Sequence, residues 1–569
     1  MKLTVSDGGL SGHAALLRKH IARRIAVEEA PGGMRVSLSV DPTLGAPESY
    51  RISHAAGVWQ ITGTDESGLY FGIGKFLHTA VWTETGFTPK ETGRIIAPAC
   101  SFRAIYFAVH LYNYYANAPT AELAEYLEEL LLWGYNGIVL IIPVIDLETF
   151  DEPLFHSAVE KSRTIFGLAK SRGIQCGIII CPNQGVKSSP HRFDADPSFD
   201  PIGNVRGNAG RNLCPSKPGA RAHLREIWDT MLSQYADVGL DYLVTWPYDE
   251  GGCGCAECRP WGARAYPDLA KELFTVAKTY YPKLQTIISA WTFDRPDDQG
   301  EYAGLYARLN GDLKDTDYIM VDAHGSYPRY PLEHPVVKPV VNFPEISMWK
   351  LYPWGGFGAN PLPERFHAIW NSAKAILGGG MPYSEGMYED ISKIQFAGYY
   401  WEPDRAWEDI FAEYIGYECA SDPDVIADAI EMIRLIEKNH VLVGEGSAPD
   451  YEASDRADAL ARSIDARLDG RKPWRWRILY IRAVTDKKRY DYYRDHLSGP
   501  YALEDLRHFG ADFMAEDAEA QTLLKELCGY YHSVPFNGTN QHTLPFVGGK
   551  TVLGHSGTYE EVKRKRGEI

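Results

Sequence analysis

Two adjacent acids close one apolar run of this chain, Trp246-Pro-Tyr-Asp249-Glu250-Gly-Gly252. Neighbouring carboxylates cannot both ionise cheaply, so one pKa rises while the other group keeps its charge. The pair therefore offers a proton donor near neutral pH beside a fixed anion, which is what general acid catalysis requires. The two glycines that follow leave room for a ligand. Directly after them comes Cys253-Gly-Cys255-Ala-Glu-Cys258, a spacing tight enough for three thiolates to face one ion. Tetrahedral zinc needs a fourth ligand. Cys214, in Asn212-Leu-Cys-Pro-Ser216, is the first choice and Cys181 the second. Such a zinc (Zn2+) would be closed and structural, pinning the loop that carries Glu250. No His/carboxylate triad of metal spacing points to a catalytic metal. Nine cysteines are an odd number, and in a reducing compartment this cluster reads as a metal site rather than as disulfides.

Other apolar runs also end in polar and aromatic residues. One ends Asp322-Ala-His324-Gly-Ser-Tyr327. Another ends Asn342-Phe-Pro-Glu345-Ile-Ser-Met-Trp349, followed by Tyr352-Pro-Trp354, and a third ends Tyr383-Ser-Glu385-Gly-Met-Tyr-Glu389-Asp390. Trp291, Trp349 and Trp354 would wall a flat ring, and His324, Tyr327, Glu345 and Tyr383 add polar contacts around it. Together these ends make a polar, aromatic mouth suited to a sugar.

The elements that must position these groups follow from periodicity. From residue 99 to 402, short apolar runs alternate with amphipathic stretches, the signature of βα units and a parallel sheet. Eight strands are expected: Phe102–His110, Gly137–Pro143, Gln175–Asn183, Asp241–Tyr248, Leu284–Trp291, Asp317–Gly325, Val336–Ser347 and Gly380–Gly386. Helices are clearest over Ala121–Trp133, Ala158–Ser171, Arg221–Ala236 and Asp268–Tyr280. Eight such units in this length predict a (β/α)8 TIM barrel, with catalytic groups at the C-terminal ends of its strands. An open doubly wound sheet would need a Gly-rich phosphate loop after the first strand, and none is there. Residues 1–98 read as a small α/β domain: a helix over His13–Val27, strands Met34–Val40 and Gly57–Thr62, then a helix over Gly68–Leu77. Residues 403–569 read as a mostly helical region with helices over Trp407–Glu418, Pro423–Lys438, Ala453–Leu468 and Glu504–Leu527, and an extended tail over Pro535–Gly557.

The segment Tyr50–Leu77, YRISHAAGVWQITGTDESGLYFGIGKFL, resembles the accessory domain that precedes the barrel in β-N-acetylhexosaminidases, α-glucuronidases and their relatives. The Asp249-Glu250 pair closing strand four resembles the acid pair of glycoside hydrolase family 20, the β-N-acetylhexosaminidases. That resemblance implies an exo-acting enzyme on GlcNAc or GalNAc ends. Glu250 would protonate the leaving oxygen, and Asp249 would hold the 2-acetamido group whose carbonyl attacks the anomeric carbon, with retention. Such substrate assistance is an exception to the two-carboxylate rule for glycosidases. In that family an Arg near the first strand grips sugar hydroxyls. Here Arg103 starts that strand and His110 ends it, so both stand as substrate contacts. Glu385 would clamp a pair of hydroxyls, as carboxylates at that strand do in related enzymes. This chain departs from the family in the residues flanking the pair and in Cys181-Pro-Asn-Gln184, where the family has an Asp and a His.

Two alternatives stay open. One is an α-glucuronidase-like glycosidase without acetamido specificity, inverting, with Glu250 as acid and Glu345 or Glu385 as base. The other is a non-catalytic carbohydrate-binding barrel. The partner is then an oligosaccharide or glycoside, and self-association into a homo-oligomer is left open. Net charge is −17, which would repel nucleic acid. No run of 18 apolar residues predicts a membrane span. Arg18, Lys19, His20, Arg23 and Arg24 interrupt the region where a signal peptide has its apolar stretch, so a cytoplasmic protein is expected. Aromatic residues reach 12%, in keeping with clefts that stack on sugar rings.

Overall fold

A computed structural model describes residues 1–111, 114–199, 210–295, 300–323, 326–336, 338–347, 358–439, 450–468, 472–496, 517–530, 543–544 and 552–553. Its centre is a closed parallel barrel. The strands are Phe102–Phe107, Gly137–Ile141, Gln175–Ile180, Tyr242–Thr245, Gln285–Ser289, Tyr318–Ala323, Val340–Pro344 and a split eighth, Leu377–Gly380 with Tyr383–Ser384. They pair in sequence order, and the eighth returns to the first, with Gly379 opposite Phe102 and Tyr383 opposite Tyr106. The eighth breaks around Pro382, which has no N–H for the ladder. Its carbonyl still accepts from the Tyr106 N–H at 3.0 Å.

Residue alternation decides which side chains fill the barrel. Phe102, Ala104, Tyr106, Val139, Ile141, Ile179, Tyr242, Val244, Val341 and Phe343 form one inner cluster. Their strand neighbours Ile105, Ile138, Leu140, Ile178, Leu243 and Ile319 belong to the layer shared with the surrounding helices. Burial on both faces explains why these strands read as unbroken apolar runs. The expected strands run past the observed ones at the C-terminal end, where the extra described residues form the rim, and residues 324–325 lie outside the described residues.

The N-terminal sheet has the order Glu28–Glu29, Lys2–Ser6, Met34–Val40, Val58–Gly63, Tyr50–Ala55. Helices Ser11–Ala22 and Glu66–His78 accompany it. Asp65 caps the second helix, its side chain accepting from the Gly68 N–H at 2.7 Å. After the last barrel helix, Asp390–Trp401, come helices Trp407–Glu418, Pro423–Lys438, Tyr451–Arg467, Trp474–His496 and Ala518–Tyr530. The long helix Trp474–His496 was not among the expected elements. Of the expected helix Glu504–Leu527, residues 504–516 lie outside the described residues. In the expected tail, Thr543–Leu544 pairs antiparallel with Val552–Leu553, and the rest lies outside them too. No described helix is long and apolar enough to cross a membrane.

Candidate active site

The chain leaves barrel strand four through Trp246 and Pro247, and the alternation breaks there. Tyr248 turns outward, its hydroxyl donating to Glu301, and Asp249 adopts φ +71°. A non-glycine residue rarely occupies this left-handed region, and backbone held there concentrates at functional sites. The turn lets two consecutive carboxylates approach the same space above the barrel. Both act on Tyr106 and Cys181 of the inner layer. Gly252 follows at φ +116°, and a Cβ there would meet the Phe199 ring at 2.7 Å. Only glycine lets the chain fold back toward Asn183. The Asn183 side chain donates to the Gly252 carbonyl at 2.9 Å and accepts from the Gly252 N–H at 3.0 Å. It also donates to the Leu213 carbonyl at 3.1 Å, so the loops after strands three and four are laced together.

Glu250 is 8% exposed, and the Gln184 amide donates to its Oε2 at 3.1 Å. Burial raises its pKa from 4.5 to about 8, the Asp249 charge adds to the rise, and the Gln184 bond opposes it. Burial alone raises Asp249 from 3.8 to about 6. Near neutral pH the site therefore presents a protonated Glu250 beside an ionised Asp249, a proton donor with a neighbouring anion.

An aromatic floor lies beneath the pair. Tyr106 and Tyr383 have ring centroids 5.2 Å apart, Trp246 and Phe343 5.1 Å, and Trp246 and Trp291 5.6 Å. Across it stand the acids of strands seven and eight. Glu345 is buried, with its Oε1 accepting from the Ser347 N–H at 2.8 Å. Glu385 is fully buried, its Oε1 accepting from the Tyr383 hydroxyl at 3.0 Å. The turn that carries Glu385 is fixed by Glu389, whose Oε1 accepts from Ser384 Oγ at 2.6 Å and from the N–H groups of Glu385 and Gly386 at 2.7 and 3.0 Å. The acids act on the two phenols of this floor. Burial and then Glu250 raise Tyr106, while burial and then Glu385 and Glu345 raise Tyr383. At strand six, Asp322 pairs with Arg295 at 2.9 Å.

Not every expected contact reaches this mouth. Arg103 does not: it is fully buried at the N-terminal end of strand one, in an ion pair with Glu48 at 2.8 Å. It donates to the carbonyls of Gly134 and Cys100 at 2.8 and 2.7 Å. A residue that starts a barrel strand points to the stability face, so Arg103 is corrected from a substrate contact to a packing residue. Tyr327 is also displaced, buried in the layer outside the barrel where Tyr306 and Asp322 act on it. His110 is half-buried, with its Nδ1 3.2 Å from the Tyr106 hydroxyl. His324, Trp349 and Trp354 lie outside the described residues. Gln184, Asn183, Tyr106 and Trp246 were missed. The available signal was their place at or beside strand ends, the same signal that marked Glu250.

The cysteines converge just beyond the acid pair. The sulfurs of Cys214, Cys253, Cys255 and Cys258 all lie within 4.8 Å of one another. Cys181 is elsewhere, inside the barrel, its sulfur accepting from the Glu250 N–H. The eight cysteines whose side chains are described are free.

No family model matches this chain, and no curated protein matches it. Solved structures do. An enzyme of glycoside hydrolase family 138 targeting pectin rhamnogalacturonan II is 12% identical, matching 93% of this chain and 72% of its own at a TM-score of 0.56. The family 89 glycoside hydrolase of Clostridium perfringens, solved with its substrate GlcNAc-α-1,4-galactose, is 10% identical. It matches 91% of this chain and 66% of its own, also at a TM-score of 0.56. A family 20 β-N-acetylglucosaminidase is 14% identical over 72% of this chain and 90% of its own, at a TM-score of 0.47. The first two are glycoside hydrolases, and at these identities what this chain shares with them is a fold rather than membership of one family.

Proposed function

We propose that this protein is an exo-acting glycoside hydrolase in which Glu250 is the general acid, acting on N-acetylhexosamine ends. The carrying observation is the left-handed Asp249, which brings two consecutive carboxylates to one rim position, with Glu250 raised to about 8. Glu250 donates its proton to the leaving oxygen as the glycosidic bond breaks. Asp249, half-buried and ionised, receives the N–H of a 2-acetamido group and stabilises the positive charge that develops there as the carbonyl oxygen closes on the anomeric carbon. Tyr106, Tyr383, Trp246 and Trp291 offer the sugar an apolar floor. In support, the Clostridium perfringens family 89 enzyme takes a substrate with a GlcNAc end.

A second reading has its own observation. Glu345 is held by the Ser347 N–H and acts on Tyr383, while Glu250 acts on its ring neighbour Tyr106. Carboxylates placed either side of a bound sugar are what a two-carboxylate glycosidase needs. The substrate-bound family 89 structure likewise carries two glutamate-to-glutamine replacements.

Turnover of chromogenic glycosides with and without a 2-acetamido group, in wild type and Glu345→Gln, separates the readings. Substrate assistance predicts turnover confined to acetamido sugars, a Glu345→Gln variant that keeps most activity, and tight inhibition by a thiazoline mimic of the intermediate. Two-carboxylate chemistry predicts a dead Glu345→Gln variant and no special affinity for the thiazoline. No turnover across the whole panel would leave a binding barrel.

A further inference from the structure

We propose that Cys214, Cys253, Cys255 and Cys258 hold one zinc ion, and that this zinc is the clamp joining the loop after barrel strand three to the loop that carries Glu250. The sulfur of Cys214 lies 3.7 Å from that of Cys255 and 3.9 Å from that of Cys258. All four sulfurs fall within 4.8 Å of one another. A zinc–thiolate bond of about 2.3 Å places the corners of a tetrahedron about 3.8 Å apart. A disulfide would bring two of the sulfurs to about 2.05 Å, and the four-way convergence favours no such pairing.

The surroundings suit thiolates. Cys214, Cys253 and Cys258 are at most 1% exposed, so an ion held among the four sulfurs would be screened from water. The Ser216 hydroxyl lies 2.9 Å from the Cys214 sulfur. Backbone N–H groups also point at the sulfurs, that of Ser216 at Cys214 and those of Cys255 and Asp196 at Cys253. Such outer hydrogen bonds orient and stabilise metal-bound ligands. Four sulfur donors, with no histidine or carboxylate joining them among the described residues, make a closed, structural site, and tetrahedral sulfur selects zinc over harder divalent ions.

The ligands come from two loops. Cys214 follows Arg211–Asn212, the short strand paired with Gln184–Gly185, and Gln184 holds Glu250. The other three ligands follow Glu250 directly in the chain. An ion shared by these loops fixes the donor and the acceptor of the Gln184–Glu250 hydrogen bond relative to each other. Metal binding of this kind adds directly to folding free energy.

The test uses the full chain, expressed with zinc in the medium and purified without chelator. Elemental analysis should find about one zinc per chain. Cobalt exchanged into the site should show thiolate-to-cobalt charge-transfer bands and the visible bands of a tetrahedral ion. The Cys255→Ser/Cys258→Ser double variant should bind zinc at least about tenfold more weakly, and chelation should lower the Tm of wild type. Wild-type protein with no stoichiometric zinc, with iron in its place, or with cobalt showing no thiolate bands would overturn the proposal. Full zinc in the double variant would also overturn it. If the variant does not fold, the wild-type metal content and cobalt spectrum decide alone. None of these readouts involves a substrate, so they stand or fall apart from the glycosidase reading.

Discussion

At the N-terminal end of the barrel, Arg103 is fully buried, and opposite charge and carbonyl oxygens meet its guanidinium. Glu48 pairs with it at 2.8 Å, Gly134 and Cys100 accept from it, and the rings of Phe71 and Trp401 lie 5.1 and 4.9 Å from its carbon. At the C-terminal end, Glu250 is buried to a similar degree, but the charge beside it is Asp249, of the same sign. A buried charge that is paired joins the barrel to the N-terminal domain. A buried acid beside another acid is left holding its proton at neutral pH. The contrast separates a group whose burial is compensated by a partner from one whose burial costs stability, which is the placement the proposed general acid requires.

The sharpest way to break this contrast is to exchange the acid for its amide. Glu250→Gln should cut turnover of glycosides with poor leaving groups by about 10²- to 10⁴-fold, the usual worth of proton donation, with the fold intact by circular dichroism. Wild-type rates in the variant would remove Glu250 as the acid. Arg103→Met should do the opposite. Activity per folded molecule should stay near wild type, while urea unfolding shows a loss of about 3 kcal/mol, because the change strips a buried pair of one partner. A loss of activity without a loss of stability would restore Arg103 to the site.

A third prediction turns on the sign of the Glu250 shift. Its pKa is raised on folding from 4.5 to about 8, so at pH 7 the folded protein binds a proton that the unfolded chain has released. The stability linked to this proton is fully present below pH 4.5 and is lost as pH rises through about 8. Glutamine does not titrate. Glu250→Gln should therefore unfold with a weaker pH dependence and, at pH 8, be more stable than wild type by ~1–3 kcal/mol. Equal stabilities at pH 8 would mean that burial of Glu250 carries no such penalty.

The same contrast marks what the sequence could disclose. Barrel strands such as Gly137–Ile141 were legible because burial on both faces leaves an unbroken apolar run. The helix Trp474–His496 was not, because buried arginines interrupt the apolar residues, Trp476, Leu479, Ala483 and Val484 among them, that it also turns inward. Arg475, Arg482 and Arg489 recur at seven-residue steps and are all buried. Arg475 meets Asp390 and Glu129, while Arg482 meets Asp486 and the Ala359 carbonyl. Apolar patterning registers such a helix poorly when arginines share its buried faces and find partners in the helix itself and across the fold. In the site, Asp249-Glu250 and the three clustered cysteines were legible because each group is local in sequence. Gln184 was not, since nothing within the chain around residue 184 says which acid it will meet. Arg103 has the residue type of a sugar-gripping group but starts its strand, so it faces the far end of the barrel, where Glu48 pairs with it.

The smallest expected effect concerns that long-range partner. If Glu250 must be protonated and Asp249 ionised, activity falls as pH drops through about 6 and again as it rises through about 8. The Gln184 amide donates to Glu250 and so favours its charged form, holding the pKa down against burial. Gln184→Leu removes the donor at similar volume. A side-chain hydrogen bond of this kind is worth about 0.5–1.5 kcal/mol, and one pKa unit corresponds to about 1.4 kcal/mol. The alkaline limb of the kcat/KM profile should then move upward by about 0.4–1 unit. The acid limb should stay in place, because burial alone sets Asp249. A merely structural role for Gln184 would lower the whole profile without moving either limb. An alkaline limb that stays put, or moves down, would show that the Gln184 contact does not set the acidity of Glu250.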